Sequence, residues 1–561
     1  MDHIIELLSR ELDRPVQHVE NIVTLLDEGN TVPFIARYRK ELHGAMDDQL
    51  IRQLADRLQY LRNLQARRDE VKQSIENQGK LTEELSAAID AAATLAEVED
   101  LYRPYKQKRR TRATMAREKG LEPLAELAFA IGPAVDLEGA AADYIDPGKG
   151  VETVEDALQG ASDIVAEWIS DDADVRKLLR ELYWRRASIV SRAAAKEPED
   201  SVYRLYYEFS SPVSKTQGHQ ILAMNRGERE EILKVDVEMD RETALVALRR
   251  RAVPGRAAME FVRAAAEDAY DRLIAPSLER ELRGELTDRA SEGAIGQFAL
   301  NLKPLLMQPP VKGFVTMGLD PGYRMGCKVA VVDPTGKVLD TTVVYPTHGE
   351  RGKNEAIDKL AVLIKKHKVA HIAIGNGTAS RETEQMAVEL IRKAGGGVSY
   401  AMVNEAGASV YSASKLAAEE FPEFDVNLRS AVSIARRLQD PLAELVKIDP
   451  KSIGVGQYQH DMPQARLGEA LDGVVEDCVN AVGVDVNTAS APLLTRVAGL
   501  NGTTAKNIVK YREENGPFTT RKQILKVPKL GPKAFEQCAG FLRVPESKSP
   551  LDNTAVHPES Y

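Results

Sequence analysis

The 561-residue sequence contains only three cysteines and no long apolar run. Cys327, Cys478 and Cys538 lie far apart and form no Cys-x-x-Cys pair, which argues against a disulfide framework and a zinc site. No stretch approaches the roughly 20 apolar residues that a transmembrane helix needs, and the amphipathic N-terminus lacks the pattern of a secretory signal. We therefore expect a cytoplasmic protein without a membrane partner, a bound metal or another cofactor.

Basic residues are concentrated in two segments of a chain whose formal net charge is -10. Residues 101–120 contain eight Lys or Arg and one acid, while residues 488–545 contain ten Lys or Arg and three acids, a net charge of +7. Nucleic-acid binding depends on such local clusters more than on the total charge. The overall acidity therefore does not exclude RNA or DNA as a partner.

The first basic segment reads LYRPYKQKRRTRATMAREKG. Its internal position argues against a targeting signal, which leaves three interpretations: a nucleic-acid contact, a clasp on acidic parts of the same chain, or a solvated helix face. We predict a secondary basic patch here, favour the nucleic-acid and clasp interpretations, and keep the solvated helix face open. The cations of this patch are Lys106, Lys108, Arg109, Arg110 and Arg112.

Residues 1–310 have the pattern of a mainly helical region. Asp13 is a plausible N-cap for the helix that follows Pro15, and leucines at three- and four-residue spacing after residue 48 predict a helix of about 30 residues. Aromatic and β-branched runs around turn residues predict a short non-helical insertion near 201–240. We expect an elongated helical scaffold that ends at the proline-rich segment NLKPLLMQPPVKG.

Residues 311–447 change to alternating strands and helices. Three strands joined by tight turns, in FVTMGLD, CKVAVVD and VLDTTVVYP, are followed by helix, strand, helix and strand. This order predicts a mixed sheet and is that of an RNase H-like domain. The fold class is therefore multidomain and mainly α, with one α/β RNase H-like domain.

Nucleases and resolvases with this fold hold two divalent cations with carboxylates from the first strand, the fourth strand and a late helix. Asp320 ends the first strand, and Glu405, after the fifth strand, supplies a second carboxylate. The fourth strand ends instead in Gly375 and Asn376. Two carboxylates are a poor match for two divalent cations.

The late helix offers Arg429 and Ser430 where an acid is expected, although Glu382 restores part of the site if the fourth strand is one residue shorter. We interpret Asp320 and Glu405 as vestigial catalytic candidates and predict no metal site and no enzyme activity. A metal-dependent nuclease or resolvase remains the alternative function.

Residues 488–545 contain an internal repeat. The segments LLTRVAGLNGTTAKNIVKYREENGPF and QILKVPKLGPKAFEQCAGFL each pass from an apolar helix end through a glycine-containing hairpin into a second helix. Backbone N–H groups of such hairpins bind phosphates without reading sequence. The repeat resembles the tandem helix-hairpin-helix unit of ComEA-like DNA-binding proteins. The predicted nucleic-acid-binding residues are Gly499, Leu500, Asn501, Gly502, Thr503, Lys506, Lys529, Leu530, Gly531 and Lys533.

Long motifs along the whole chain resemble the bacterial transcription accessory family Tex. They include TVPFIARYRKELHGAMDD, VEDLYRPYKQKRRTRATMAREKGLEPLA, GLDPGYRMGCKVAVVD and VEDCVNAVGVDVNTAS. The resemblance implies a helical N-terminal region with a helix-turn-helix-like part, a YqgF or RNase H-like domain, tandem hairpins and a C-terminal RNA-binding OB-fold domain. It also implies nucleic-acid binding linked to transcription, without an established need for catalysis.

These observations predict a domain organisation and a function. The domains are a helical region at 1–310, the YqgF domain at 311–447, a helical connector at 448–487, tandem hairpins at 488–545, and a linker at 546–561 toward a missing C-terminal domain. The expected function is non-catalytic, largely sequence-independent binding of RNA or DNA, with RNA polymerase or the ribosome as a protein partner.

Overall fold

The computed structural model describes residues 2–454 and 456–561, which divide between two compact units. One unit combines Met1–Ala55 with Ile295–Tyr561, and the other comprises Asp56–Ala294. Helices account for 62% of the residues, so the predicted mainly α, multidomain class is confirmed. The first 55 residues fold with the C-terminal half, although the sequence analysis assigned them to one region ending at 310.

The first helices follow one another through short turns. They are α1 (Asp2–Leu12), α2 (Val16–Asp27), α3 (Val32–Tyr38), α4 (Lys40–His43) and α5 (Asp48–Asn77). The 30-residue α5 matches the leucine spacing. Asp13 is not the N-cap of α2, because it adopts a left-handed conformation with φ 52° and Pro15 occupies the capping position.

The unit Asp56–Ala294 is built mainly from helices. After α5 come α6 (Glu83–Ala91), α7 (Leu95–Tyr102), α8 (Arg112–Glu118), α9 (Glu122–Phe129), α10 (Leu137–Ala141), α11 (Val154–Asp171) and α12 (Ala173–Arg186). Helix α11 is mostly buried and packs against α8 and α9. Its N-terminus is fixed by a capping box between Thr153 and Asp156.

A small antiparallel sheet follows α12. Its strands are β1 (Ser188–Ala193), β2 (Glu208–Pro212) and β3 (Leu233–Glu238), in the order β2-β1-β3, and α13 (Gly218–Arg229) connects the last two. The predicted insertion at 201–240 therefore begins earlier and contains a helix. The remaining helices are α14 (Arg241–Ala252), α15 (Met259–Asp268) and α16 (Ala275–Leu306), with a π-helical turn at Ala269–Ile274.

The RNase H-like domain contains a five-stranded sheet in the order β6-β5-β4-β7-β8. The strands β4 (Thr316–Asp320), β5 (Cys327–Val332) and β6 (Val338–Val344) are antiparallel, whereas β7 (His371–Gly375) and β8 (Ser399–Val403) run parallel to β4. This is the predicted order of elements. The helices are α17 (Gly349–His367), α18 (Ser380–Lys393), α19 (Ala408–Ser412), α20 (Lys415–Glu420), α21 (Val426–Gln439) and α22 (Pro441–Leu445).

Both faces of this sheet are covered. On one face, Met317 and Leu319 pack with Leu360 of α17 and Met386 of α18. On the other face, α21 lies directly against β4, because a Cβ atom on Gly318 would be 2.3 Å from the Ala431 carbonyl oxygen. Because β4, β7 and β8 run parallel to one another, their carboxyl ends meet at one edge of the sheet.

The C-terminal part carries the repeated hairpins. Its elements are α23 (Gln464–Val482), β9 (Val484–Asp485), α24 (Ala491–Thr495), α25 (Gly502–Asn515), α26 (Pro532–Cys538) and β10 (Leu542–Arg543), with β9 and β10 paired in parallel. No described helix is both long and apolar enough to cross a bilayer.

Residues 546–561 pack against the hairpins, unlike the predicted linker. Buried Arg521 donates from Nη1 to Tyr561 Oη at 2.7 Å, and its backbone N–H donates to Asp552 Oδ2 at 3.2 Å. Tyr561 Oη in turn donates to Asp552 Oδ1 at 2.8 Å. Individual polar contacts hold this segment, whereas a packed helix face would have required a periodic pattern of apolar residues. The sequence therefore shows no such pattern here.

Candidate nucleic-acid interface

The two hairpins have the same backbone design. Residues 497–502 (VAGLNG) correspond to 527–532 (VPKLGP), and in each the leucine N–H donates to the carbonyl of the first valine. Gly499 and Lys529 share a left-handed conformation, with φ 81° and 65°. Asn501 and Gly531 share the N-cap position of the following helix. The structure therefore brings each predicted set into one turn at a helix N-terminus.

The first hairpin has an open helix N-terminus. Asn501 and Thr504 form a capping box, and Gly502 and Thr503 are exposed in the first turn of α25. Within the described part of the chain, a Cβ atom on Gly502 would meet no atom within 4 Å other than those of its own chain neighbours and helix backbone. Leu500 is only 8% exposed, so its side chain anchors the turn and leaves ligand contacts to the backbone.

The second hairpin is partly committed to internal contacts. Pro532 occupies the first helical position and has no N–H to donate. Lys533 Nζ donates to Asn30 Oδ1 at 3.1 Å and lies 3.6 Å from Glu536. Buried Leu530 anchors this turn as Leu500 anchors the first. Of the two predicted lysines here, Lys529 is the better placed for a ligand.

Direct contacts fix the spacing of the two hairpins. A Cβ atom on Gly499 would lie 2.5 Å from Gln537 Cβ and 3.0 Å from the Ala534 carbonyl oxygen. Asn507 Nδ2 donates to the Pro528 carbonyl at 2.9 Å. Each hairpin thus packs on the helix that follows the other, and both open turns belong to one rigid element.

The segment carries two exposed lysines beyond those predicted from its sequence. Lys522 and Lys526 are exposed, as are Lys506 and Lys529, and within the described part of the chain none of the four has an ion-pair partner. By contrast, Arg521 is buried and Arg496 pairs with Asp472 at 2.9 Å. The basic count of the segment was a signal, but it could not separate structural cations from free ones.

The RNase H-like edge brings Asp320 and Glu405 together. Burial and the neighbouring Glu405 carboxylate raise the pKa of Asp320 to about 6, with Lys328 partly opposing the shift. Burial also raises the pKa of Glu405, although a hydrogen bond from the Gly377 N–H and the charge of Arg437 partly oppose this rise. The pairing of β4 with β7 places Gly375 beside Asp320, as predicted.

The glycines at and after the end of β7 lie against the Glu405 carboxylate. A Cβ atom on Gly375 would lie 2.4 Å from Glu405 Oε2, and one on Gly377 would lie 1.7 Å from Glu405 Oε1. The Glu405 carboxylate therefore occupies the space above both glycines. Its Oε2 is buried without a hydrogen-bond partner among the described residues.

The remaining predicted residues point elsewhere. Asn376 Oδ1 accepts from the Glu405 backbone N–H at 3.2 Å, and Glu382 accepts from Tyr323 Oη at 3.0 Å. Arg429 donates to the carbonyls of Phe421 and Ser412, while Ser430 is buried in α21. Among the described residues, no group of three His, Cys, Asp or Glu side chains could hold a metal ion.

The first basic segment divides into bound and exposed cations. Lys108 contacts the Asp171 carboxylate and lies 3.4 Å from Glu167, both on buried α11. Burial opposes ionisation of Glu167, but Lys108 and Arg117 lower its pKa. The remaining cations, Lys106, Arg109, Arg110 and Arg112, are exposed, and Arg110 lies 3.5 Å from Glu118. The clasp interpretation therefore applies to Lys108, whereas Lys106, Arg109 and Arg112 remain available for a nucleic-acid contact.

Family models match most of the chain in the order of these structures. They are described as Tex-like protein N-terminal domain (residues 2–76), Tex central region-like (132–298), Tex protein YqgF-like domain (314–439) and helix-hairpin-helix motif (479–543). An RNase H-like domain followed by paired hairpins thus defines the class of protein.

Relatives that align with nearly the whole of this chain indicate the same family. The chain is 51% identical over 558 residues to "Uncharacterized protein YdcI" of Bacillus subtilis, covering 99% of this chain and 78% of that protein. It is 50% identical over 571 residues to "Transcriptional accessory protein Tex" of Neisseria gonorrhoeae, covering 100% and 74%. The human "S1 RNA-binding domain-containing protein 1" is 42% identical over 561 residues, covering 96% and 56%. The chain belongs to the Tex family.

Reversing the charge of Lys108 should destabilise the protein. Lys108→Glu would leave Glu167 and Asp171 buried beside a third carboxylate, so we expect a loss of about 3 kcal/mol in the free energy of unfolding. The matched variant Arg109→Glu lies on an exposed side chain and should change it by less than about 0.5 kcal/mol. Urea unfolding of both variants measures the difference; equal effects would refute the clasp.

The raised pKa of Asp320 predicts a pH-dependent stability. Because the folded state holds this proton more tightly than the unfolded state, the free energy of unfolding falls as pH rises from about 4 to about 6. Asp320→Asn removes the effect and should stabilise the protein at pH 7 by about 2 kcal/mol, with the difference shrinking as pH falls from about 6 to about 4. Urea unfolding across this range tests it; a constant difference would contradict the assignment.

Proposed function

We propose that this protein is a non-catalytic, nucleic-acid-binding transcription accessory factor. It holds RNA or DNA through the phosphate backbone, without reading the sequence. The observation that carries the proposal is the pair of matched hairpins, fixed in spacing by Gly499 and Asn507, with exposed turns at Gly502 and Gly531. Open backbone N–H groups beside unpaired lysines suit phosphates of any base sequence.

The first hairpin is the stronger of the two phosphate sites in this proposal. Gly502 and Thr503 both offer N–H groups at the start of a 14-residue helix, whereas Pro532 removes one from the second turn. Lys506, Lys522, Lys526 and Lys529 add positive charge that no acid neutralises within the described residues. Because their side chains are long and flexible, these lysines can reach the phosphates of a nucleic-acid backbone whose exact path varies.

The role in transcription rests on relatives. The gonococcal relative is named a transcriptional accessory protein, and the human one is named for an RNA-binding domain. The family membership of this chain supports the same setting, a cytoplasmic one, with RNA polymerase or the ribosome as the proposed protein partner.

Charge placed at the two open turns tests the phosphate-binding proposal. Among the described residues, neither Gly502 nor Gly531 has an atom beyond its immediate chain neighbours within 4 Å of its Cβ position, so side chains fit there without disturbing the fold. The double variant Gly502→Glu, Gly531→Glu should weaken binding of a labelled duplex of about 20 base pairs at least about 10-fold, because two carboxylates would face the phosphates. Fluorescence anisotropy measures the affinity.

The matched control carries glutamine at both positions, which has the same size without the charge. It should retain more affinity than the glutamate variant. Contact of four lysines with phosphates also predicts a loss of about 100-fold in wild-type affinity between 50 and 200 mM salt. Binding that is insensitive to both charge and salt would overturn the proposal.

The non-catalytic part has its own test. Two carboxylates, with a glycine and a buried serine in place of further acids, support the absence of two-metal chemistry. We expect no cleavage of single-stranded, duplex or branched DNA or RNA in Mg²⁺ or Mn²⁺. Cleavage by the wild type that Asp320→Asn abolishes would contradict this, since contaminating nuclease would persist in the variant.

A further inference from the structure

Two loops beside Asp320 present large exposed side chains. Tyr323 and Met325 lie in the turn between β4 and β5, and Tyr345 follows β6. Their exposed fractions are 49%, 65% and 44%. We call Tyr323, Met325 and Tyr345, together with the cations Arg324 and Lys328, the tyrosine platform. Neither the vestigial carboxylates nor the hairpins account for it.

Hydrogen bonds hold Tyr323 in place without burying its ring. Its carbonyl accepts from His348 Nε2 at 2.9 Å and from Thr347 Oγ1 at 3.3 Å, which joins the two loops. Its hydroxyl donates to Glu382 on α18 at 3.0 Å. A ring fixed at both ends loses little conformational entropy when a ligand stacks on it.

Tyr345 is fixed by a glycine and a histidine. Gly326 has φ 80°, and a Cβ atom there would lie 2.7 Å from Tyr345 Cε1, so the ring lies against bare backbone. The His348 ring is 5.0 Å away between centroids. The same histidine therefore contacts the Tyr345 ring and the Tyr323 carbonyl, which ties the two loops together.

The charge of the turn favours a polyanion. Residues 321–328 contain Arg324 and Lys328 and no acid. Lys328 Nζ donates to the Met325 carbonyl at 3.0 Å, which holds its ammonium beside the exposed methionine. The nearby acids are Asp320, at the base of the turn, and Glu382, which accepts the Tyr323 hydroxyl. Aromatic rings with adjacent cations are the pattern of single-strand recognition.

We propose that the tyrosine platform binds single-stranded nucleic acid by stacking bases on Tyr323 and Tyr345 while Arg324 and Lys328 contact its phosphates. Duplex strands hide their base faces, so only an unpaired strand can use the rings. The inference rests on the proposed nucleic-acid-binding function, but its contacts are to bases, whereas those of the hairpins are to phosphates. It gives the RNase H-like domain a holding role without cleavage.

The test compares strands with and without bases on the full chain. A labelled single-stranded RNA of about 12 nucleotides should bind the wild type more tightly than an abasic strand of equal length. The double variant Tyr323→Ala, Tyr345→Ala should lose about 10-fold or more in RNA affinity and most of that preference. Its affinity for duplex should remain unchanged, since the hairpins are untouched.

Tyr400→Ala is the matched control. Tyr400 is 37% exposed in the same domain, and its hydroxyl donates to Glu384 on α18 at 2.9 Å, but it lies on β8 outside the platform. It should leave RNA binding unchanged. Tyr345→Phe keeps the ring and should also bind normally, which separates stacking from a hydroxyl contact.

Photo-cross-linking of a 5-iodouridine strand adds a readout that does not depend on variants. Cross-links should map to the peptides of Tyr323 or Tyr345. Unchanged RNA affinity in the double alanine variant, or cross-links confined to the hairpins, would overturn the platform while duplex binding still supports the proposed function. Absence of duplex binding in the wild type would instead contradict the proposed function itself.

Discussion

The buried amide of Gln537 joins three parts of the chain. Its Oε1 accepts from the Thr31 N–H and hydroxyl at 2.9 and 3.0 Å, and its Nε2 donates to Asn30 Oδ1 at 2.8 Å. The Cβ of the same residue limits how closely Gly499 can approach. A buried amide with all its partners specifies one arrangement, because any other leaves polar atoms unsatisfied. The arrangement of the two hairpins and the first helices depends on these contacts of Gln537.

Aromatic packing adds to the contact between the first helices and the hairpins. Tyr38 fits over Gly540, packs edge-on against Phe541 and donates its hydroxyl to the Ala555 carbonyl. Arg39 pairs with Glu559 at 2.7 Å and Glu536 at 3.3 Å. The family motif TVPFIARYRKELHG thus includes residues that dock on the hairpins and on the last residues of the chain. Its residues therefore have a packing role.

Close approach through glycine also shapes the RNase H-like domain. Gly318 lets α21 lie on β4, and Gly375 makes room for the Glu405 carboxylate. A side chain at the end of β7 would displace the Glu405 carboxylate from its present position. The glycine at the end of β7 and the position of the Glu405 carboxylate are parts of one arrangement.

Local patterns predicted much of this structure. Alternating strands and helices, the 30-residue α5 and the repeated hairpins all depend on neighbours in sequence, where periodicity and turn chemistry act. The position of Asp320 beside Gly375 followed from strand order alone.

Contacts between distant residues were beyond such patterns. Nothing near Asn30 indicates a partner 507 residues away, and nothing near Lys533 shows that its ammonium is already engaged. The tail at 546–561 was misread for the same reason, because Arg521 holds it through single polar contacts. The platform was missed because Tyr323 and Tyr345 lie on separate loops, and exposure cannot be read from either segment.

The division of the chain into two units affects the order in which its parts can fold during synthesis. Asp56–Ala294 can fold once it has left the ribosome, whereas Thr31 must wait for Gln537, 506 residues later. At typical rates of 5 to 20 residues per second, that delay is about 25 to 100 s. During it, the apolar face of α3, with Phe34 and Ile35 destined for full burial, has no native partner from the hairpins. The first helices therefore complete their native packing only after Gln537 has been synthesised.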